Sequence, residues 1–313
     1  MARKKKQQDS NNGIVRYKMS GGDYAFEIVN YIVFALFTLL CFFPFYYLFI
    51  NTISSEEAVT KGIVNWYPIG VQFTNYTKIF KANDFLQSLR ISVVRTILGT
   101  SLMVLASAFV GYLVTKQEMF ARKIVYRIFV ITMYFNAGII PWYTTMQMLG
   151  LTNNFWGYII PGIVAPYNII LVKTYVESIP AELEESAHMD GASYMQVFTS
   201  IILPLSKPIL ATIAIFGAVG NWNSFQDCMI LMRGNSSLYT LQYLLYQYLN
   251  EANNLAAVMT SSTDASAMKN LTTLSNRTVE YTVSMASIIP ILLVYPFMMR
   301  YFEKGIMIGA VKG

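Results

Sequence analysis

Long apolar runs dominate this chain and restrict it to one kind of fold. Several exceed roughly eighteen residues, the length at which a helix crosses the hydrocarbon layer of a membrane. A soluble chain of 313 residues interrupts such runs with surface charge, whereas this one is 55% hydrophobic and 13% charged. We therefore predict an all-α, polytopic membrane protein. Its six predicted transmembrane helices are residues 28–50, 91–114, 124–149, 155–176, 209–232 and 283–302.

The polar segments between these runs predict the orientation. Residues 1–22 are basic and polar, which indicates a disordered cytoplasmic tail, and residues 23–313 form a single membrane domain. The 28–50 run is too long for a signal peptide and contains Pro44. Lysine and arginine are more frequent on the tail's side of the predicted spans, so both termini are predicted to be cytoplasmic. A polar loop at about 233–282 then lies outside.

Composition argues against several other functions. The net charge of +6 comes from residues at the ends of the apolar runs, not from a basic patch with stacking aromatics, so no nucleic acid is expected. His188 is the only histidine, and Cys41 and Cys228 lie in apolar runs, so no metal site or bound cofactor is predicted. No nucleophile, base and metal cluster occurs, and no catalytic residue is predicted.

One segment between two predicted spans, residues 177–208, is not itself a span. Pro180 and the glutamates after it favour a helix start, Gly191 can end that helix, and a second short helix runs from Ser193 to Pro204. Its exposed, mixed surface needs a partner. A lipid surface is one host, but an anionic leaflet would repel the acidic residues, so a protein groove fits better.

The segment has a fixed spacing of Glu-x-Ala, three residues, Gly, nine residues, then Ile-x-Leu-Pro, formed by Glu185, Ala187, Gly191, Ile201, Leu203 and Pro204. With this spacing it resembles the coupling loop of the permease subunits of type I ABC importers, whose signature is Glu-Ala-Ala at the first three positions; only Ser186 departs from it here. The resemblance implies that the loop at about 178–204 docks on a cytoplasmic ATPase. The predicted coupling residues are Glu182, Glu185, Ala187, Asp190, Gly191, Ile201, Leu203 and Pro204.

The resemblance also implies partners. These are a second homologous permease, two ATPase subunits that bind ATP and Mg, and an extracytoplasmic solute-binding protein, assembled in the cytoplasmic (inner) membrane of a prokaryote. The chain itself contains no Gly-x-x-x-x-Gly-Lys-Ser/Thr loop, so the ATPase must supply the chemistry.

Further stretches are similar to the smaller, six-span permease of maltose-type and complex-saccharide importers. They are residues 141–151, 190–192, 220–225 and 305–313. A sugar suits the polar residues predicted inside the membrane, because amides and an indole match a polyhydroxylated ring. The predicted pathway residues are Asn136, Asn221, Trp222, Asn223, Gln226 and Asp227. The alternative is that these side chains hydrogen-bond neighbouring helices.

A different class of transporter also remains open. Asp227 is the only acidic residue predicted deep in a span, so a secondary transporter or channel could use it for a proton or sodium ion. No internal repeat supports that reading. A membrane-embedded enzyme ranks third, because this sequence has no recognisable cluster of a nucleophile, a base and a metal site.

Overall fold

The computed structural model describes residues 6–7, 16–17, 21–81, 83–250 and 276–310 of the chain. Their regular secondary structure is helical apart from two short strands, β1 (Lys6–Gln7) and β2 (Arg16–Tyr17), which pair antiparallel. The α-helices are α1 (Gly21–Thr52), α2 (Glu56–Thr60), α3 (Thr74–Lys81), α4 (Asn83–Leu113), α5 (Arg122–Tyr134), α6 (Ile139–Met148), α7 (Ile160–Ile163), α8 (Pro166–Val176), α9 (Glu182–Met189), α10 (Tyr194–Val197), α11 (Leu203–Leu205), α12 (Lys207–Asn223), α13 (Gln226–Leu231), α14 (241–250) and α15 (Asn276–Ala310). Short 3-10 helices cover Phe155–Tyr158 and Ser236–Leu238, and a π-helix covers Phe198–Ile202. The predicted all-α membrane fold is confirmed.

Some predicted segments lie partly outside the described residues. They include most of the 1–22 tail, residues 251–275 of the outer loop, and the last three residues of the 305–313 stretch. The disorder predicted for the tail and the boundaries predicted for the outer loop therefore stay predictions. The predicted boundaries of the 178–204 loop also stay predictions.

Three described helices are long and apolar enough to cross a membrane: Gly21–Thr52, Asp84–Leu113 and Arg277–Pro296. Two bent pairs raise this number to five within the described residues if each pair is one span. One pair joins Phe155–Ile163 to Pro166–Val176 at 41°, and the other joins Tyr194–Leu205 to Lys207–Asn223 at 77°. The predicted total of six spans is not reached by this criterion.

The structure corrects the prediction of an uninterrupted helix over residues 124–149. Helix α5 ends at Tyr134, and α6 begins only at Ile139. Gly138 in the break has a φ of 88°, which a residue with a side chain rarely adopts. At 1.5 Å per residue, α5 alone is only about 20 Å long, too short to cross the hydrocarbon layer.

Two other predicted spans are interrupted for identifiable reasons. Within 155–176 the chain breaks before Pro166, which disfavours helical geometry at the preceding Ala165 and begins α8. Within 209–232, α12 ends at Asn223 and Ser224 is extended, with a φ of −72° and a ψ of 127°. The predicted polar residues of span five therefore surround a break and do not lie along a regular helix.

Helix α4 lies at the centre of the described packing. It contacts α12 most extensively and also packs against α8 and α7. Near its C-terminal end, Ala108 and Tyr112 share an apolar cluster with Val172, Val197 and Ile213. In contrast, the most apolar stretch of α1 has no buried residue, as expected of a helix that faces lipid or another subunit. Helix α4 thus connects the 178–204 loop to the interrupted fifth span.

Candidate functional site

The first arm of the 178–204 loop is α9. Its first turn holds Glu182, Glu184 and Glu185, where negative charge is favourable beside the unsatisfied N–H groups of a helix start. The arm ends at Asp190, and Gly191 follows with a φ of 83°. This left-handed glycine turns the chain after the helix, as the sequence predicts.

The second arm, Tyr194–Leu205, begins with a capping box. The Ser193 Oγ accepts from the Gln196 N–H at 3.4 Å, and the Ser193 N–H donates to Gln196 Oε1 at 2.8 Å. Further along, the π-helix Phe198–Ile202 precedes Pro204, which has no N–H to donate to a regular helical ladder. The predicted pair of helices around a glycine is therefore present.

The predicted coupling residues divide by exposure. Glu182, Glu185, Asp190, Gly191 and Pro204 are exposed, whereas Ala187, Ile201 and Leu203 are partly buried. The side chains that anchor the second arm are instead Val197, Phe198 and Ile202, which are buried in the cluster with Tyr112. An open cleft of about 310 Å³ lies at the turn. Its lining residues are Asp190, Gly191, Ala192, Gln196, Val197, Ser200 and Ile201.

The break in the fifth span is organised by a buried ion pair. Arg95 on α4 is 3% exposed and forms an ion pair with Asp227, which is 19% exposed. Arg95 Nη1 also donates to the Ser224 carbonyl at 3.2 Å, and Ser224 Oγ donates to Asp227 Oδ1 at 2.9 Å. The guanidinium lies 4.6 Å from the centroid of the Tyr158 ring. Asp227 is thus paired and hydrogen-bonded within the chain, and its predicted part in a pathway stays a prediction.

The other predicted pathway residues separate into buried and exposed groups. Trp222 is buried and donates from its indole to the Ser287 carbonyl at 3.1 Å, and the partly buried Asn221 contacts Thr100 at 3.5 Å. Asn223 and Gln226 are exposed on either side of the break. Asn136 lies elsewhere, where its Oδ1 accepts from the Gly138 N–H at 2.9 Å and shapes the break before α6. Of the predicted pathway residues, Asn223 and Gln226 have exposed amides at the break in the fifth span, and Asn223 Oδ1 also accepts from Gln242 Nε2 at 3.4 Å.

An apolar groove adjoins Trp222 between α4, α12 and α15. Its volume is about 490 Å³, and its walls include Val93, Phe216, Val219 and Pro290. Such a lining gives few hydrogen bonds to a polyhydroxylated molecule. The groove is therefore separate in chemistry from the amides at Asn223 and Gln226.

Sequence reasoning missed two basic residues that organise these sites. Arg95 could have been found from the sequence, because it lies within an apolar run. An ionisable side chain inside a membrane span usually pairs with a group on another helix. Lys116 follows α4 and forms an ion pair with Glu184 of the first arm. Nothing in the spacing of residues 68 positions apart points to that contact. In the part of the chain that is described, no group of three or more His, Cys, Asp or Glu side chains could hold a metal ion.

The interrupted helices, the central α4 and the helix–glycine–helix loop define a multi-pass membrane permease. The chain belongs to the family of binding-protein-dependent transport system inner membrane components, whose model matches residues 13–308. It is a transport subunit of an ABC importer in the inner membrane, as the sequence predicts.

Relatives and a solved structure agree with this assignment. The polygalacturonan/rhamnogalacturonan transport system permease protein YtcP of Bacillus subtilis is 32% identical over 92% of this chain and 98% of its own. The arabinooligosaccharides transport system permease protein AraQ of the same organism is 25% identical over 92% of this chain and 96% of its own. A chain from a bacterial ABC transporter involved in the import of the acidic polysaccharide alginate has a TM-score of 0.79 and 32% identity, covering 91% of this chain and 99% of that one.

Proposed function

We propose that this chain forms part of the translocation pathway of an oligosaccharide importer and receives motion from a partner ATPase through its 178–204 loop. The observation that carries the proposal is the geometry of that loop. Two carboxylates, Glu182 and Glu185, are exposed on one arm, and Gly191 turns the chain beside an open cleft. Since Glu182 and Glu185 are three residues apart on a helix, they share a face that a partner can contact.

The partners follow from this role. A second homologous permease completes the pathway, two ATPase subunits bind ATP and Mg, and an extracytoplasmic binding protein delivers the sugar. The family description itself names dependence on a binding protein. The loop and both termini face the cytoplasm in this arrangement. Alternating access then comes from rocking the two permeases about their interface.

An oligosaccharide is the proposed substrate class because two lines of support agree. The names of YtcP and AraQ refer to polysaccharide or oligosaccharide transport. In this chain, the exposed Asn223 and Gln226 provide donors and acceptors without charge, which suits sugar hydroxyls. Arg95 is held by Asp227 and is not free to bind an acidic sugar at this break.

A secondary transporter that uses Asp227 is disfavoured by the same contacts. A carboxylate that carries a proton or sodium ion must change partners during transport, whereas Asp227 is fixed by Arg95, Ser224 and the Cys228 N–H. Its position is that of a structural counter-ion.

Co-purification from the native membrane tests the proposal. We expect the wild type to retain a second permease and an ATPase after mild solubilisation, and Glu182→Lys/Glu185→Lys to lose only the ATPase. Glu177→Lys is the matched control, since Glu177 lies before the loop and pairs with Lys173. A wild-type chain recovered without any ATPase would refute the importer assembly. Uptake of labelled arabinotriose and trigalacturonate then distinguishes neutral from acidic substrates.

A further inference from the structure

The three glutamates that begin α9 differ in their surroundings. Glu182 and Glu185 are exposed, but Glu184 is only 19% exposed and forms an ion pair with Lys116, which is 15% exposed. On a helix Glu184 is rotated by about 100° from Glu185, so it points toward α4 while its neighbours point away. The acidic first turn is thus divided between an outward face and one inward contact.

Lys116 is itself held in place. Its ammonium lies 4.3 Å from the centroid of the Tyr112 ring at the end of α4, where a cation is attracted to the face of an aromatic ring. The short connection from Leu113 to Lys116 is fixed by hydrogen bonds from Thr115 N–H to Tyr112 O and from Lys116 N–H to Leu113 O, each 3.0 Å long. Lys116 therefore moves with α4.

The second arm reaches the same end of α4 by another route. The Phe198 ring centroid lies 5.2 Å from that of Tyr112 and 5.7 Å from that of Phe109, and Tyr112 Oη donates to the Tyr194 carbonyl at 3.5 Å. These contacts are mostly apolar and bury Phe198. Tyr112 consequently contacts the second arm directly through Phe198, and it is linked to the first arm through Lys116 and its partner Glu184.

Besides the ion pair, Ala187 of α9 and Ile179 just before it make apolar contacts with this core, and such contacts are not directional. His188 joins α9 to the second arm, since its ring centroid lies 4.7 Å from that of Tyr194 and its Nδ1 lies 2.9 Å from the Ala192 carbonyl oxygen. The ion pair with Lys116 is the contact that ties α9 to the segment directly after α4. An ion pair between partly buried groups fixes the position of one charged atom against another. Glu184 also directly precedes Glu185, which with Glu182 forms the face that we propose for docking of the ATPase, here called the docking face. A displacement of α9 would therefore be passed directly to Lys116.

We propose that Lys116 and Glu184 form a tether that makes α4 move with the first arm of the 178–204 loop. This inference rests on the proposed function, because it assumes that a partner displaces α9. Glu184 is a positioning residue: it acts on α4 and does not touch the ATPase. Helix α4 then carries the displacement over the roughly 27 Å from Leu113 to Arg95. At that distance Arg95 holds the break in the fifth span.

The test uses the assembled transporter in detergent and measures amide hydrogen exchange with and without ATP. In wild type, we expect ATP to change exchange both in α9 and in residues 109–118. In Glu184→Gln, the ATPase stays bound and α9 still responds, but the response of 109–118 falls by about twofold to fivefold, the range expected from one partly exposed ion pair. The charge-exchanged chain Lys116→Glu/Glu184→Lys should recover the wild-type response.

Two controls separate this tether from the docking face. Glu177→Gln, which removes the partner of Lys173, should leave both responses unchanged. Glu182→Lys/Glu185→Lys should remove the ATPase itself. An undiminished response of 109–118 in Glu184→Gln would overturn the tether, as would loss of the ATPase from that variant, which would assign Glu184 to the docking face.

Failure of the proposed function has a different signature. If wild type holds no ATPase, a double-mutant cycle of Lys116→Gln and Glu184→Gln on the thermal unfolding of the chain still reports on the ion pair. A measurable coupling would retain the contact as a link between α9 and α4, whereas additive effects would overturn it.

Discussion

An ion pair to a distant part of the chain lies at each end of the stretch from Arg95, inside α4, to Lys116, just after it, and the two pairs are built differently. At the first end, in the interior of α4, Arg95 is 3% exposed and pairs with Asp227, and it also contacts Ser224 and the Tyr158 ring. Beyond the C-terminal end, Lys116 is 15% exposed, pairs with Glu184 and lies over the Tyr112 ring. The two carboxylates are equally exposed, at 19%, so the difference lies in the cations: Arg95 is enclosed, whereas Lys116 is nearer the surface.

This difference separates holding a shape from passing on a movement. A buried cation with several fixed partners is difficult to displace, because losing a partner leaves a buried charge that neither the protein nor water compensates. A partly exposed pair contributes little to stability and can tolerate small changes in geometry. We infer that the Arg95 end fixes the break near Asn223 and Gln226, and that the Lys116 end follows the 178–204 loop.

The largest effect is expected from removing charge at the Arg95 end. Asp227→Asn leaves a buried guanidinium unpaired, which costs about 3–5 kcal/mol of unfolding free energy. Glu184→Gln at the other end should cost no more than about 1 kcal/mol. Thermal unfolding of the purified transporter, detected by fluorescence in size-exclusion chromatography, measures the loss of stability in each of the two variants.

The control for this first prediction removes both charges. Arg95→Met/Asp227→Asn should regain most of the stability lost in Asp227→Asn, because no buried charge remains. Equal losses for Asp227→Asn and Glu184→Gln would contradict the distinction between the two ends.

A second prediction concerns the part of the connection close to Lys116, where α4 packs on α8. A Cβ added at Gly111 would lie 2.9 Å from Val172 Cβ and 3.2 Å from the Ile169 carbonyl oxygen. Gly111→Val should therefore push the helices apart and destabilise the chain by about 1–3 kcal/mol. Gly220→Ala is the control, since a Cβ there meets no described atom within 4 Å and alanine favours helix.

The same variant sharpens the comparison. If α4 carries displacement from Lys116 to Arg95, Gly111→Val should also reduce the ATP-dependent change in exchange around Arg95 while leaving that of α9 intact. A response that persists at both ends would mean that another element connects them.

A third prediction addresses the turn between the two arms. Gly191 has a φ of 83°, so Gly191→Ala should cost about 1–2 kcal/mol of local backbone strain. A Cβ there meets no atom of the described residues within 4 Å, so the effect comes from the backbone alone. Retention of the ATPase should fall in Gly191→Ala and fall less in Gly191→Asn, because asparagine tolerates left-handed geometry better. Equal retention in all three chains would show that the turn is not needed for docking.

The sequence predicted the all-helical class and the helix–glycine–helix loop, but not the breaks in three of the six predicted spans. The features of the loop were predictable because they are local. Pro180, Gly191 and Ser193 mark the ends of α9 and the start of the second arm by rules that act over a few residues. The break before α6 was also visible in principle, since Gly138 and Pro141 interrupt the apolar run. Averaged hydropathy concealed it, because the residues on either side are equally apolar.

The candidate site was less predictable because its contacts are distant in sequence. Arg95 and Asp227 are 132 residues apart, and no local pattern brings them together. The prediction of Asp227 as a pathway residue treated it as an isolated carboxylate. In the structure it forms an ion pair with Arg95 of α4. Exposure likewise separates Asn223 from Trp222, although the two are adjacent and both polar.

The smallest effect on stability is expected where the site faces a solute. Asn223→Ala and Gln226→Ala remove exposed amides, so each should change the unfolding free energy by about 0.5 kcal/mol or less. If these amides hydrogen-bond the transported sugar, each variant should lower uptake efficiency at low substrate concentration by roughly twofold to tenfold, as expected from one lost hydrogen bond. Labelled arabinotriose and trigalacturonate serve as the substrates.

Asn221→Ala is the matched control, because the Asn221 amide contacts Thr100 and Gly99 within the chain. This substitution should therefore affect stability more than uptake. Normal uptake by both exposed-site variants would place the sugar against the second permease, and Arg95 would then hold the shape of a wall that the sugar does not touch.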